Sequence, residues 1–327
     1  MIASSPDSVR RPTITIGLPV YNGQKYLAVA LDSLLAQTDC EFQLIISDNG
    51  STDRTREICE RYAAQDSRIR YYRNPQNEGV ARNFNRVFTL SDTEYFKWAP
   101  YDDLVEPNFL ARCLEVMERN PSVVLCYSKA KVINETGAFI TNYDPGPDTH
   151  SNKQHVRFRN LLLHPEYAIQ QMGVIRSSAL RKTVLHGTYP SSDEVLLAQL
   201  ALLGDFYEIQ DRLYIFRRHE EQSTETSKQR DRVLYFDPTL AGKIVLPTWR
   251  YLGGYLKVLR NSSLQRSTLL SCYFSVLRWT IRSQHMRALG KDLLMACANR
   301  KSLPKPRPAA AIQDTTCKQD ARPVRGA

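Results

Sequence analysis

Two adjacent carboxylates, Asp102 and Asp103, follow the point where a short aromatic run (Tyr95, Phe96, Trp98) is stopped by Pro100, and Pro107 comes next at what reads as a helix start. In a chain that alternates strands and helices, acids at the carboxyl end of a strand lie where open α/β sheets bind ligands. Such a pair can hold one divalent cation together with a ligand's phosphates, because Mg²⁺ usually takes one or two protein carboxylates. The plainer alternative is an acidic turn capping the next helix. A second acid, Asp48, stands in the turn-rich Ser47-Asp48-Asn49-Gly50-Ser51-Thr52-Asp53, where it either serves a ligand or closes an Asx turn.

The elements that must position these residues follow from periodicity. Thr13 to Val20 is a β-branched strand running into the turn Tyr21-Asn22-Gly23, and Leu27, Ala30, Leu31, Leu34 and Leu35 repeat at helical spacing. Phe42 to Ile46 is a second strand, Asp53 to Ala64 a helix and Ile69 to Tyr72 a third strand. Asn77-Glu78-Gly79 then precedes a helix with Val80, Phe84, Val87 and Phe88 on one face. Four alternations with short connections predict an α/β fold, a mostly parallel sheet with helices on both faces. Downstream come a helix over Phe109 to Arg119, a strand from Val123 and a hairpin about Asn134 to Gly137. Residues 142–156 read as a loop and Tyr167 to Ile175 as a strand. Two short strands, Phe206 to Ile209 and Leu213 to Phe216, then lead into Arg217-Arg218-His219.

Composition excludes several classes. The 327 residues are 42% hydrophobic and 24% charged, as in a globular protein with a real core. The seven cysteines are scattered, without a C-x-x-C pair, which argues against a disulfide framework or a zinc site and suits a reducing cytosol. Met1 to Arg11 lacks an apolar leader-like core, and no apolar run approaches the ~18 residues of a membrane span. Neither G-x-G-x-x-G nor G-x-x-x-x-G-K-[ST] is present, so the usual dinucleotide and P-loop sites are not expected.

The net charge of +10 is unevenly placed. From Lys228 onward there are 19 Lys and Arg against 5 Asp, whereas the preceding residues carry 25 basic and 29 acidic side chains. Residues 1–12 read as a disordered tail, 13–225 as the ligand-binding domain, 226–302 as a helical region and 303–327 as a disordered basic tail. Within 226–302, Leu270, Tyr273, Phe274, Leu277, Trp279 and Ile281 alternate with arginines. Either this is a core-packing helix with a solvated basic face, or it lies on an anionic membrane surface. The tail lacks the aromatic interleaving of a nucleic-acid module, so no nucleic-acid partner is expected.

Read together, Thr15 to Gly23, Ser47 to Asp53, Asn77-Glu78-Gly79 and the Asp pair resemble the inverting glycosyltransferases of family 2 over about residues 13–220. The first two motifs, about 30 residues apart after successive strands, are specific together and weak singly. The resemblance implies a GT-A fold, a mostly parallel mixed sheet flanked by helices, here with a helical C-terminal extension. It implies donor contacts from Pro19, Val20, Tyr21, Asn22, Asp48, Arg82, Asn83, Tyr101, Asp102 and Asp103. It further implies Asp193 as catalytic base, and Asp102 with His219 as ligands of Mg²⁺ or Mn²⁺. The plainer readings are a helix cap for Asp193 and a solvated strand end for His219, with Arg217 or Arg218 as alternative diphosphate contacts. Two positions depart from the family pattern. Pro100 replaces the first acid of D-x-D, which leaves cation dependence open, and Ser192 replaces the Glu that often precedes the base.

The expected activity is inverting transfer of one hexosyl or N-acetylhexosaminyl unit from a nucleotide-diphosphate sugar to a hydroxyl acceptor. The acceptor would be a cell-surface glycan or lipid-linked saccharide, with the enzyme cytoplasmic or membrane-peripheral. Alternatives are a non-catalytic sugar-nucleotide-binding or scaffold protein and a tailoring enzyme acting on a small metabolite. A glycosidase would leave the Asp48 loop unexplained. A sugar nucleotidyltransferase would need a Gly-rich, basic first loop that is missing here.

Overall fold

The structure, a computed structural model, describes residues 12–144, 151–163, 168–220, 222 and 229–302. The tails expected at 1–12 (Pro12 apart) and 303–327 therefore lie outside the described residues.

β1 (Ile14–Val20) and β2 (Phe42–Asp48) are buried along their whole length, as central strands covered on both faces must be. α1 (Leu27–Leu35) joins them and turns Leu27, Ala30, Leu31 and Leu34 inward at i, i+3, i+4 and i+7. α2 (Thr55–Gln65), β3 (Ile69–Arg73), α3 (Val80–Thr89) and β4 (Tyr95–Trp98) complete the alternation. β1 pairs in parallel with both β2 and β4, and β2 with β3. The sheet thus grows outward from β1 to β3 and then jumps back to β4. That reversal opens a crevice beyond the carboxyl ends of β1 and β4.

The chain continues as β5 (Leu104–Val105), α4 (Phe109–Arg119), β6 (Val123–Ile133), β7 (Phe139–Tyr143) and α5 (Gln154–Leu163). β8 (Val174–Arg176), α6 (Ser177–Leu180), α7 (Ser192–Leu203) and β9 (Asp205–Arg217) follow. The order is β3-β2-β1-β4-β8-β6-β9-β5, with β7 on β6. β5, β7 and β8 oppose their neighbours and the other strands share one direction, giving the mixed, mostly parallel sheet expected.

Three local expectations change. The strand expected over Tyr167 to Ile175 is a 3-10 turn at Ile169–Met172 followed by β8. There the Met172 carbonyl accepts from the buried Lys97 ammonium instead of joining a ladder. The two strands expected between Phe206 and Phe216 are one, β9, because β6 pairs beside it throughout and register shifts around Ser128 and Lys129 absorb the polar Gln210-Asp211. Of the loop expected over 142–156, residues 145–150 lie outside the described residues, Asn142 and Tyr143 still pair in β7, and α5 begins at Gln154, with Phe158, Leu161 and Leu162 buried.

The C-terminal part is helical as expected: α8 (Gln229–Phe236), α9 (Pro247–Arg260), α10 (Arg266–Thr280) and α11 (Ser283–Ser302). Tyr255, Val258, Cys272, Val276 and Trp279 share a core with Phe158 and Leu162 of α5 and Val195 of α7. Trp279 therefore belongs to the interior, whereas Leu270, Phe274, Leu277 and Ile281 face outward. Among the described residues no helix is long and apolar enough to cross a membrane, and Cys40, Cys59, Cys113, Cys126, Cys272 and Cys297 are free thiols.

Candidate active site

A cavity of about 310 Å³ occupies the crevice between β1 and β4, within the usual size of small-molecule sites. Pro19, Val20 and Tyr21 enter it from the end of β1, and Pro100, Tyr101, Asp102 and Asp103 from the loop after β4. Asn83 on α3 and Asp193 at the start of α7 complete the expected residues on its wall. Asn22, Asp48, Arg82 and His219 are not on that wall.

Each absence has a local cause. The Asp48 carboxylate is fully buried and already accepts from the Ser51 N–H (2.8 Å), the Tyr71 hydroxyl (3.0 Å) and Arg73 Nε (3.1 Å). Asn22 ties the two motif loops together, its Oδ1 accepting from the Thr52 N–H at 2.9 Å and its own N–H donating to Ser51 Oγ at 2.9 Å. Arg82 turns away to Asp237, 3.4 Å distant. Asn83 does line the cavity, yet its amide is engaged by Ser47: Oδ1 accepts from the hydroxyl at 2.7 Å and Nδ2 donates to the carbonyl at 2.9 Å.

The acid pair divides into two roles. Asp103 is buried beneath the loop, where it accepts from the Tyr214 hydroxyl and from the Arg217 N–H at 2.8 Å. Burial, and then the neighbouring Asp102 charge, push its pKa up to about 8. Asp102 keeps its carboxylate on the cavity wall, with Oδ2 at 2.9 Å from His219 Nε2. Arg217, at the end of β9, holds the loop by donating from Nε to the Asp102 carbonyl at 2.9 Å and from Nη1 to the Asn134 and Glu135 carbonyls. It is a structural clamp, 5% exposed, and its guanidinium does not line the cavity.

Asp193 stands in the first turn of α7, where backbone N–H groups favour its anion, and Gln171 Nε2 donates to Oδ2 at 3.4 Å. Burial outweighs these and raises its pKa above the ordinary carboxylate value. The adjacent Glu194 faces the C-terminal helices and accepts from the Tyr251 hydroxyl of α9 at 2.5 Å. Burial, with Asp193 beside it, pushes Glu194 up to about 7.

Several wall residues escaped the sequence reading. His186 is gripped at its backbone by the Asn85 amide, which donates to its carbonyl and accepts from its N–H, both at 2.9 Å. Its ring stands edge-on to Trp98 and Phe84, and burial lowers its pKa to about 3, so the imidazole is neutral at physiological pH. Tyr235 and Phe236 reach the cavity from α8. No local motif marks these residues; the pairing of Asn85 with His186 spans 101 positions.

For a divalent cation, the described residues contain no cluster of three or more His, Cys, Asp or Glu side chains. Asp102 and His219 form a two-donor set beside the cavity, which fits a cation drawing its remaining ligands from a diphosphate and water.

Comparison with known proteins places this geometry. The family model described as Glycosyl transferase family 2 matches residues 15–184, over half of the chain. The chain is 30% identical over 133 residues to a chondroitin synthase of Escherichia coli, covering 41% of this chain and 19% of that protein. It is 32% identical over 113 residues to the glycosyltransferase GlyG of Streptococcus pneumoniae, covering 34% of this chain and 38% of that one. These matches thus span well under two thirds of either relative. Among solved structures, S. aureus TarS 1-349 in complex with UDP-GlcNAc superposes with a TM-score of 0.62 at 14% identity, over 89% of this chain and 82% of that one.

Proposed function

The chain belongs to glycosyltransferase family 2, and from that premise we propose that it transfers a sugar with inversion from a nucleotide-diphosphate donor to a hydroxyl of a saccharide acceptor. The observation that carries this reading is one cavity at the β1/β4 switch point lined by three acids: Asp102, Asp103, whose carboxylate is taken up by the Tyr214 hydroxyl and the Arg217 N–H, and Asp193 at the start of a helix. One base without a second carboxylate placed as nucleophile favours direct displacement.

The β1 end (Pro19, Val20, Tyr21) would take the nucleotide, and the loop at Tyr101-Asp102 the diphosphate. Asp193 accepts the acceptor hydroxyl's proton as the new O–C bond forms at the anomeric carbon. The sugar–phosphate bond breaks and its electron pair leaves on the β-phosphate. Burial suits Asp193 to this task, since a pKa raised above the ordinary carboxylate value strengthens the carboxylate as a base. A divalent cation held by Asp102 and His219 would supply positive charge where the leaving diphosphate gains negative charge. That E. coli relative is a chondroitin synthase, which favours a cell-surface glycan or lipid-linked saccharide as acceptor and a hexosyl or N-acetylhexosaminyl unit as the transferred group.

The test is Asp193→Asn, assayed against a panel of nucleotide sugars with calorimetry of UDP, GDP and dTDP binding. Turnover should fall about 10²–10⁴-fold with nucleotide affinity retained. Normal transfer by this variant removes Asp193 as base. Failure of the wild-type chain to turn over any donor it binds would favour a sugar-nucleotide-binding protein instead.

A further inference from the structure

The C-terminal helices carry a surface that the catalytic reading does not use. On α10, Leu270, Phe274, Leu277 and Ile281 are 69%, 67%, 55% and 62% exposed. Their spacing of i, i+4, i+7 and i+11 aligns them as one apolar stripe along the helix. The opposite face of α10 is the one that packs: Cys272, Val276 and Trp279 are buried against α5 and α9. α11 adds Met286, Leu293 and Leu294, each 46% exposed or more. Large apolar side chains left in water at this density mark an interaction surface.

Charge identifies the occupant. Along α9, α10 and α11, Lys257, Arg260, Arg266, Arg278, Arg287 and Lys291 are exposed. The same helices contain one described acid, Asp292, which is 2% exposed and accepts from the Thr248 N–H. The described surface of these helices therefore presents cations and no exposed carboxylate, and Arg266 and Arg278 lie on α10 itself, one turn before Leu270 and next to Leu277. A copy of this same surface would meet like charge, whereas an anionic lipid surface satisfies both features together.

We propose that the α10 stripe of Leu270, Phe274, Leu277 and Ile281, with the exposed Arg and Lys of the C-terminal helices, docks the protein on an anionic membrane surface. The apolar residues enter the headgroup boundary while the basic side chains pair with lipid phosphates. This inference does not rest on the catalytic reading, since vesicle binding is measured without turnover.

The experiment is co-sedimentation of the full chain with vesicles of phosphatidylcholine alone or mixed with phosphatidylglycerol. The wild type should bind the mixed vesicles and not the neutral ones, and should release as salt rises from about 0.1 to 0.5 M. Leu270→Ser with Phe274→Ser, both on the exposed face, should weaken that binding by about tenfold or more. Circular dichroism and donor affinity serve as folding controls. Equal binding of the double variant, binding to neutral vesicles alone, or no binding by the wild type overturns the proposal. So does a lipid-free dimer that the double variant abolishes, which would make this face a contact between copies.

Discussion

His219 Nε2 lies 2.9 Å from Asp102 Oδ2 across 117 residues of sequence. The contact joins the last residues after β9 to the loop after β4, and Arg217 two positions earlier clamps that same loop through the Asp102 carbonyl. Tyr26 packs on the His219 ring at 4.7 Å, so the imidazole is fixed from a third element.

From this it follows that His219→Ala should act through Asp102. The expected result is donor binding about 10–100-fold weaker in the presence of Mn²⁺, with little change in its absence. Calorimetry with each nucleotide, with and without the cation, makes the comparison. An equal loss in both conditions would reduce His219 to a packing residue.

The acid limb of the pH profile should report Asp193. A base must be deprotonated to act, so kcat/KM should rise with pH through its pKa. Burial places that pKa above the ordinary carboxylate value of about 3.9. An acid limb at or below that ordinary value would contradict the buried base.

Gly79 should not tolerate a side chain. Its φ is +92°, and a Cβ there would lie 2.5 Å from the Phe236 carbonyl oxygen and 2.8 Å from Pro238 Cδ. Gly79→Ala should cost about 1–3 kcal/mol and lower the melting midpoint by several degrees. Because it displaces the segment that brings Tyr235 and Phe236 to the cavity, ligand affinity should fall as well.

Lys97 should write a signature into stability against pH. Fully buried on β4, it donates to the Trp98 and Met172 carbonyls, and burial lowers its pKa to about 7. A depressed group stabilises the fold above its unfolded pKa, and that contribution is lost as pH falls through the folded one. Asp103, raised to about 8, acts in the opposite sense and its contribution is lost as pH rises through that value. Between about pH 8 and 9.5 the Lys97 effect prevails, so the wild-type melting midpoint should rise relative to Lys97→Met. Parallel curves for the two proteins would show that the ammonium is not desolvated.

Much of this molecule is decided locally. The apolar residues of α1 at helical spacing, the all-buried β1 and β2, and the turn-rich loops after them specify an alternating α/β chain. Pro100 ends β4 and leaves the two acids at a strand's carboxyl end wherever the strand is placed. What local sequence does not carry is how far each polar group is already satisfied. Asp48 ends β2 and Asp102 follows β4, yet register sets Asp48 beside Arg73 of β3, and with the Tyr71 hydroxyl and the Ser51 N–H its carboxylate is consumed within the protein. Asp102 instead faces the gap that opens because β4 lies on the far side of β1. His186, Gln171 and the α8 aromatics reach that gap through pairings and packing between distant segments. A carboxylate's partners are a property of strand order and register, and only the assembled sheet determines them.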